Sequence, residues 1–223
     1  NAARGSAWGA AKGFIAQQNW QKSRPVISIC LWVLNMTLID PDNAPEIDVF
    51  IIGGGTAGLA LGAELKRLGV ARVVVLEREK TAGGVPRHCG HYPFGLREYG
   101  RLMKGPQYAA RNVADAVKLG VDIRTQTSVT ALHPNGRLDL TSPEGPYTLA
   151  AKRVVLCTGV RESSRSQRFI GGDRALGIMT TGALQSLVYL KSMRPFERPV
   201  IFGSELVSFS AIETCRHLGM RPV

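Results

Sequence analysis

Ile51-Ile52-Gly53-Gly54-Gly55-Thr56-Ala57-Gly58 decides the reading of this chain: an apolar run enters three consecutive glycines, and a fourth completes the spacing G-x-G-x-x-G. Such spacing alone is weak, because glycine-rich turns are common, so its neighbours must carry the argument. Residues 47–52 read as a buried parallel strand. Residues 57–68 read as a helix with Leu61, Leu65 and Leu68 on one face and Gly69 as its C-cap. Residues 72–76 read as a second strand, ending on Glu77. In this order Gly53 permits the tight turn, Gly55 lets backbone approach a pyrophosphate, and Gly58 lets helix and strand pack closely. The first helical turn, at Thr56 and Ala57, offers unpaired N–H groups and roughly half a positive charge to that pyrophosphate. Glu77, with Arg78 beside it, stands near the spacing of roughly 20 residues at which a carboxylate accepts ribose hydrogen bonds. The plainer reading makes Glu77 one solvated charge of Glu77-Arg78-Glu79-Lys80.

At 223 residues the chain is long enough for one large domain or one and a half ordinary ones, and 44% hydrophobic with 20% charged residues fits an α/β protein with a real core. The net charge of +11 raises nucleic-acid binding, but the basic residues are scattered, with no arginine block and no interleaved aromatics. The expectation is no nucleic acid. Cys30, Cys89, Cys157 and Cys215 are far apart, so neither a disulfide framework nor a metal site is indicated and a reducing cytoplasm is the expected home. The apolar run 26–34 is too short to span a membrane. Residues 1–45 read as an N-terminal extension, non-native or disordered, with Met36 as the natural start.

Past Glu77, the run Thr81-Ala82-Gly83-Gly84-Val85-Pro86-Arg87-His88-Cys89-Gly90-His91 is a long polar, glycine-rich loop, of a length that points to function. Gly105-Pro106 opens a helix to about residue 119, and 121–124 reads as a short strand. Residues 129–133, 137–141 and 147–150, separated by Pro134-Asn135-Gly136 and Pro143-Glu144-Gly145, predict a three-stranded antiparallel meander. Residues 153–157 form a further strand before Thr158-Gly159.

A second βα unit follows, with 200–202 as strand and 206–218 as helix, repeating the first at a constant offset: Gly53 maps to Gly203, Gly69 to Gly219 and Val73 to Val223. The copy stops just inside its second strand, so an incomplete chain is expected. The repeat fails where Gly55 maps to Glu205 and Gly58 to Ser208. A glutamate there adds bulk and repulsive charge, so this unit is not expected to take NAD(P) in the usual way. The competing reading is a shifted loop that aims Glu205 outward.

The fingerprint, the acidic strand end, the meander and Val154-Val155-Leu156-Cys157-Thr158-Gly159 together resemble the pyridine nucleotide-disulfide oxidoreductase superfamily, flavoproteins with two dinucleotide-binding domains. The resemblance runs from about residue 47 to 223. It implies an α/β Rossmann-like FAD-binding domain (46–165) with an antiparallel meander, a connecting segment (166–197) and the beginning of a second Rossmann-like domain (198–223). It implies FAD at the first turn, with Val129 where backbone meets the adenine, and with Gly84, Thr158 and Gly159 framing the ribityl or phosphate region. Gly83-Gly84, Cys89-Gly90-His91, Phe94-Gly95-Leu96, Gly105-Pro106-Gln107-Tyr108-Ala109 and the 177–185 segment are similar to the flavin subunits of hydrogen cyanide synthase, opine oxidase and sarcosine oxidase. That resemblance implies an FAD-dependent oxidoreductase of a small amine, amino acid or polyol-type substrate, with partner subunits. Disulfide exchange is excluded at the 81–91 loop, which holds one cysteine instead of two. Cys89 and His91 remain candidate catalytic residues, a thiolate beside an imidazole, against the reading of Cys89 as a small buried hydrophobe. Arg87 and Arg161 are candidates for neutralising phosphate or an anionic substrate. The rival reading is a non-catalytic flavin-binding or electron-relay subunit.

Overall fold

Six strands form one sheet in the computed structural model, which describes residues 47–173 and 175–223: β1 (Ile47–Ile52), β2 (Val73–Leu76), β3 (Asp122–Arg124), β4 (Ser128–Leu132), β5 (Arg137–Ser142) and β6 (Gly145–Leu156). The expected extension 1–45, with Cys30 and the 26–34 run, lies outside the described residues. The strand order is β3-β2-β1-β6-β5-β4. β1 pairs in parallel with β2 (Val49 opposite Val73) and with β6 (Ile52 opposite Leu156), and β2 in parallel with β3. β4, β5 and β6 are antiparallel. A central parallel strand is covered on both faces and therefore reads as a continuous apolar run. β1 obeys this: Phe50 and Ile51, on opposite faces, are both fully buried.

Helix α1 (Thr56–Arg67) crosses from β1 to β2, and α3 (Gly105–Lys118) packs beside it. Val49, Ile51, Val73 and Val75 face these helices and pack with Leu59 and Ala116. Phe50, Val74 and Leu76 turn to the other side, where the meander covers them with Leu138 and Leu140. The α3 start follows its sequence: Pro106 sits in the first turn, and the Gln107 side chain accepts from Lys104 N at 3.2 Å. The 81–104 loop contains a single 3-10 turn (Val85–His88) and the one-turn helix α2 (Leu96–Tyr99).

Two expectations are corrected. Residues 147–150 and 153–157 are not separate strands. β6 runs unbroken, pairing with β5 up to Ala150 opposite Arg137 and with β1 from Ala151 opposite Ile47. Nothing at 150–152 carries a turn signal, and Gly136 (φ +69) gives the room: a Cβ there would lie 2.0 Å from the Ala151 carbonyl oxygen. Residues 200–202 do not form a strand. Backbone bonds from Arg221 N to Glu197 O (2.9 Å), Val223 N to Pro199 O (2.9 Å) and Ile201 N to Val223 O (3.3 Å) tie this segment to residues 221–223, and no strand among the described residues flanks it. The expected second helix is present as α5 (Leu206–His217). It packs with α4 (Thr181–Gln185) and the π-helical turn that continues it (Ser186–Leu190), around Leu184, Val188, Ala211 and Cys215.

Candidate functional site

The C-terminal ends of β1, β2 and β6 meet at one edge, the place where open parallel sheets bind ligands. Gly53 leaves β1 at φ +112, and a Cβ there would lie 2.3 Å from the Cys157 carbonyl oxygen. Gly58 is as constrained, since a Cβ would lie 2.0 Å from the Gly53 carbonyl oxygen. Gly55 N-caps α1 from extended backbone, and no side chain caps the helix and no acid stands in its first turn. The amides of this first turn, at Thr56, Ala57 and Gly58, are thus left for an anion.

The 81–84 loop closes on this turn. Gly83 N donates to Gly54 O at 2.7 Å, and a Cβ on Gly84 (φ +64) would lie 2.7 Å from Gly55 Cα. Arg87 braces the loop from below: Nε donates to Gly84 O at 3.3 Å and Nη1 to Thr81 Oγ1. Arg87 is therefore committed to the loop, and the expectation that it neutralises phosphate or substrate is corrected to a bracing role. Arg161 is exposed at the end of the 157–161 segment.

Glu77 is 8% exposed, which overturns the solvated reading. Its Oε2 accepts from Gly54 N at 3.0 Å and its Oε1 from Glu79 N at 2.9 Å. A carboxylate has about four acceptor positions, so both oxygens keep capacity for hydroxyl donors. The Arg78 side chain, next to Glu77, is exposed, with Nε 3.7 Å from Glu79 Oε1. Backbone bonds from Thr127 N to Glu77 O and from Gln126 N to Glu79 O, both 2.9 Å, carry the chain past Glu77 into β4, where Val129 is the second residue. Cys157 N donates to Ile52 O at 2.8 Å, which sets Thr158 N against Gly53. Gly159 (φ +69) follows with nothing within 4 Å of a Cβ.

Cys89 and His91 are not brought together. The Cys89 thiol is buried and faces Val85 O at 3.5 Å, and burial pushes its pKa up. His91 Nδ1 lies 2.9 Å from Tyr92 O and its ring stacks toward Phe94. The expected thiolate beside an imidazole is corrected: apolar surroundings favour the neutral thiol. His88, between Arg87 and Cys89 in the chain, has its pKa lowered, by burial first and by the Arg87 charge second. Sequence reasoning missed Tyr189, whose ring fills the space above Gly90: a Cβ on Gly90 would lie 2.1 Å from Tyr189 Cζ. Only the bare glycine beside Cys89 hinted at it.

The cradle fits a dinucleotide. Backbone approaches from two glycine loops, helix amides face it, and a buried carboxylate stands at its side with acceptor capacity left. Residues 46–93 match the FAD binding domain family. The chain is 33% identical over 118 residues to a ferredoxin–NADP reductase of Leuconostoc citreum, covering 52% of this chain and 34% of that protein. It is 29% identical over 158 residues to hydrogen cyanide synthase subunit HcnB of Pseudomonas aeruginosa, covering 69% and 32%. It spans about a third of the length of these curated relatives. Among solved structures, L-proline dehydrogenase from P. horikoshii shares the fold, with a TM-score of 0.66 at 21% identity, covering 79% of this chain and 34% of that one. The glycine cradle and the match of residues 46–93 to the FAD binding domain family identify this turn as an FAD site.

Proposed function

We propose that this chain is the FAD-binding part of an oxidoreductase that takes hydride from a C–H bond next to nitrogen or oxygen in a small amine, amino acid or polyol-type substrate. The observation that carries the reading is the contact of the Gly55 and Gly84 loops beside buried Glu77. When bound, the flavin supplies the two-electron acceptor, and the protein supplies position and electrostatics. Gly53, Gly55 and Gly58 would keep the pyrophosphate path clear of side chains, and the first turn of α1 would meet its charge. Glu77 would accept from the adenosine ribose, the Val129 backbone would meet the adenine, and Gly84, Thr158 and Gly159 would frame the ribityl chain. Arg161, exposed just beyond Gly159, would neutralise an anionic substrate. Cys89 and His91 take no proton-transfer role in this reading. The substrate class draws on the resemblance to amine-oxidising and hydrogen cyanide synthase subunits, and the relative in Pseudomonas aeruginosa carries the latter name.

The test is the visible absorption spectrum after desalting, for the wild type and for Gly55→Glu, which copies Glu205 into the first turn. Flavin bands in the wild type and their loss in the variant are expected. Wild-type protein without bands, or a variant that keeps them, would defeat the assignment. Anaerobic bleaching of those bands by one member of a panel of amines, amino acids and polyols then identifies the substrate class.

A second reading, a flavin-binding electron-relay subunit, draws on the relative in Pseudomonas aeruginosa, which is a subunit of its enzyme. Bleaching that requires a co-purified partner chain would favour it.

A further inference from the structure

The second βα turn keeps the backbone of the first and fills it with side chains. Gly203 has φ +144 where Gly53 has φ +112. Glu205 N-caps α5 at φ −73, ψ 162, and Gly55 N-caps α1 at φ −79, ψ −172, both extended. The N-cap backbone of the two turns is alike, and the Glu205 side chain is about half exposed. The carboxylate folds back over its own turn. A Cβ on Gly203 would meet Glu205 Oε2 at 2.8 Å and Ser208 Oγ at 2.9 Å, with Ser208 standing where Gly58 stands in the first unit. Glu205 Oε1 accepts from Arg168 Nη1 at 2.7 Å.

Arg168 belongs to a loop that is itself pinned. Arg165 donates to the carbonyls of Ile170 (2.9 Å), Asp173 (2.6 Å), Gly171 and Gly172, which holds the loop in shape. The Arg168–Glu205 pair lines a cavity of about 1320 Å³ between this loop and the second turn, with Met179, Phe202 and Val207 on its apolar walls.

We infer that Glu205 is a built-in anion at the second turn: its carboxylate, held by Arg168, takes the space that the first turn leaves for a pyrophosphate, and so closes the second unit to NAD(H) and NADP(H). The exclusion has two physical parts. The carboxylate fills volume next to the turn, and it takes up Arg168, while Arg165, the other arginine lining this cavity, is held by the loop carbonyls. The Arg168 hydrogen bond, with backbone amides after it, also holds the Glu205 carboxyl below the usual carboxylate range, so it is ionised at neutral pH. Neither part depends on which substrate reduces the flavin.

The experiment titrates NADH and NADPH, followed by nicotinamide fluorescence, into the protein at its natural full length as wild type, Glu205→Gly and Glu205→Ala. Circular dichroism and flavin content establish that each variant is folded, and the alanine variant decides if the glycine variant is not. Binding at least tenfold tighter in the variants than in the wild type is expected. Equal affinity in folded variants and wild type, whether tight or undetectable, overturns the inference. Absence of flavin from every protein would count against the FAD reading and leave this comparison intact.

Discussion

Gly84 and Gly55 touch through their bare backbones: a Cβ on Gly84 would lie 2.7 Å from Gly55 Cα. Two loops from different parts of the sequence thereby share one wall of the cradle. The contact depends on φ +64 at Gly84 as well as on the missing side chain. Gly84→Ala should therefore cost about 1–3 kcal/mol by overpacking and deplete flavin, read as a lower melting temperature and a lower flavin-to-protein absorbance ratio. Full flavin retention at unchanged stability would show that the loops separate easily.

Glu77 joins both loops to the sheet through Gly54 N and Glu79 N. Glu77→Ala leaves the Gly54 amide without its acceptor and removes the ribose acceptors, at about 1.5–3 kcal/mol of FAD affinity. Titration of apoprotein with FAD measures this directly. An unchanged dissociation constant would remove Glu77 from the site.

Tyr189 locks the 85–90 loop against the second unit, stacked on His217 at 4.9 Å between ring centres. Gly90→Ala pushes a methyl into that ring and is expected to cost about 1–3 kcal/mol in urea unfolding. In a Tyr189→Ala background the same change should cost under about 0.5 kcal/mol. Equal costs in both backgrounds would place the strain elsewhere.

The Cys89 thiol has its pKa raised by burial. A raised thiol pKa contributes stability that is whole below the unfolded thiol value and is lost as pH rises toward the folded one. Alkylation of Cys89 at pH 8 should be at least about tenfold slower than for an unperturbed cysteine, because little thiolate forms there. Peptide mass spectrometry after timed iodoacetamide treatment gives the rate, and Cys89→Ser should keep its flavin. Rapid alkylation would restore the thiolate reading.

Much of this was legible in the chain. Strands at 47–52 and near 73–76, helices near 57–68 and 105–119, and the turns of the meander each announced themselves by apolar period or by Gly and Pro placement. The 200–202 segment did not become a strand despite an equally good local pattern, because a strand is a property of pairs and its neighbour strands are not present among the described residues. The continuity of β6 was illegible for the opposite reason. Its two halves bond to different strands, and local composition does not record that exchange.

By itself the sequence determined the glycine turn, the acidic residue after the second strand and the glutamate, Glu205, that stands in the second turn where the first has Gly55, since backbone freedom and charge belong to residue types. Only the tertiary structure decided that Glu77 is buried beneath Gly54, that Arg87 is spent on its own loop, that Cys89 and His91 face apart, and that Glu205 folds back toward Arg168. Each of these depends on where a side chain ends when distant segments pack, and that position is set by the neighbours it meets.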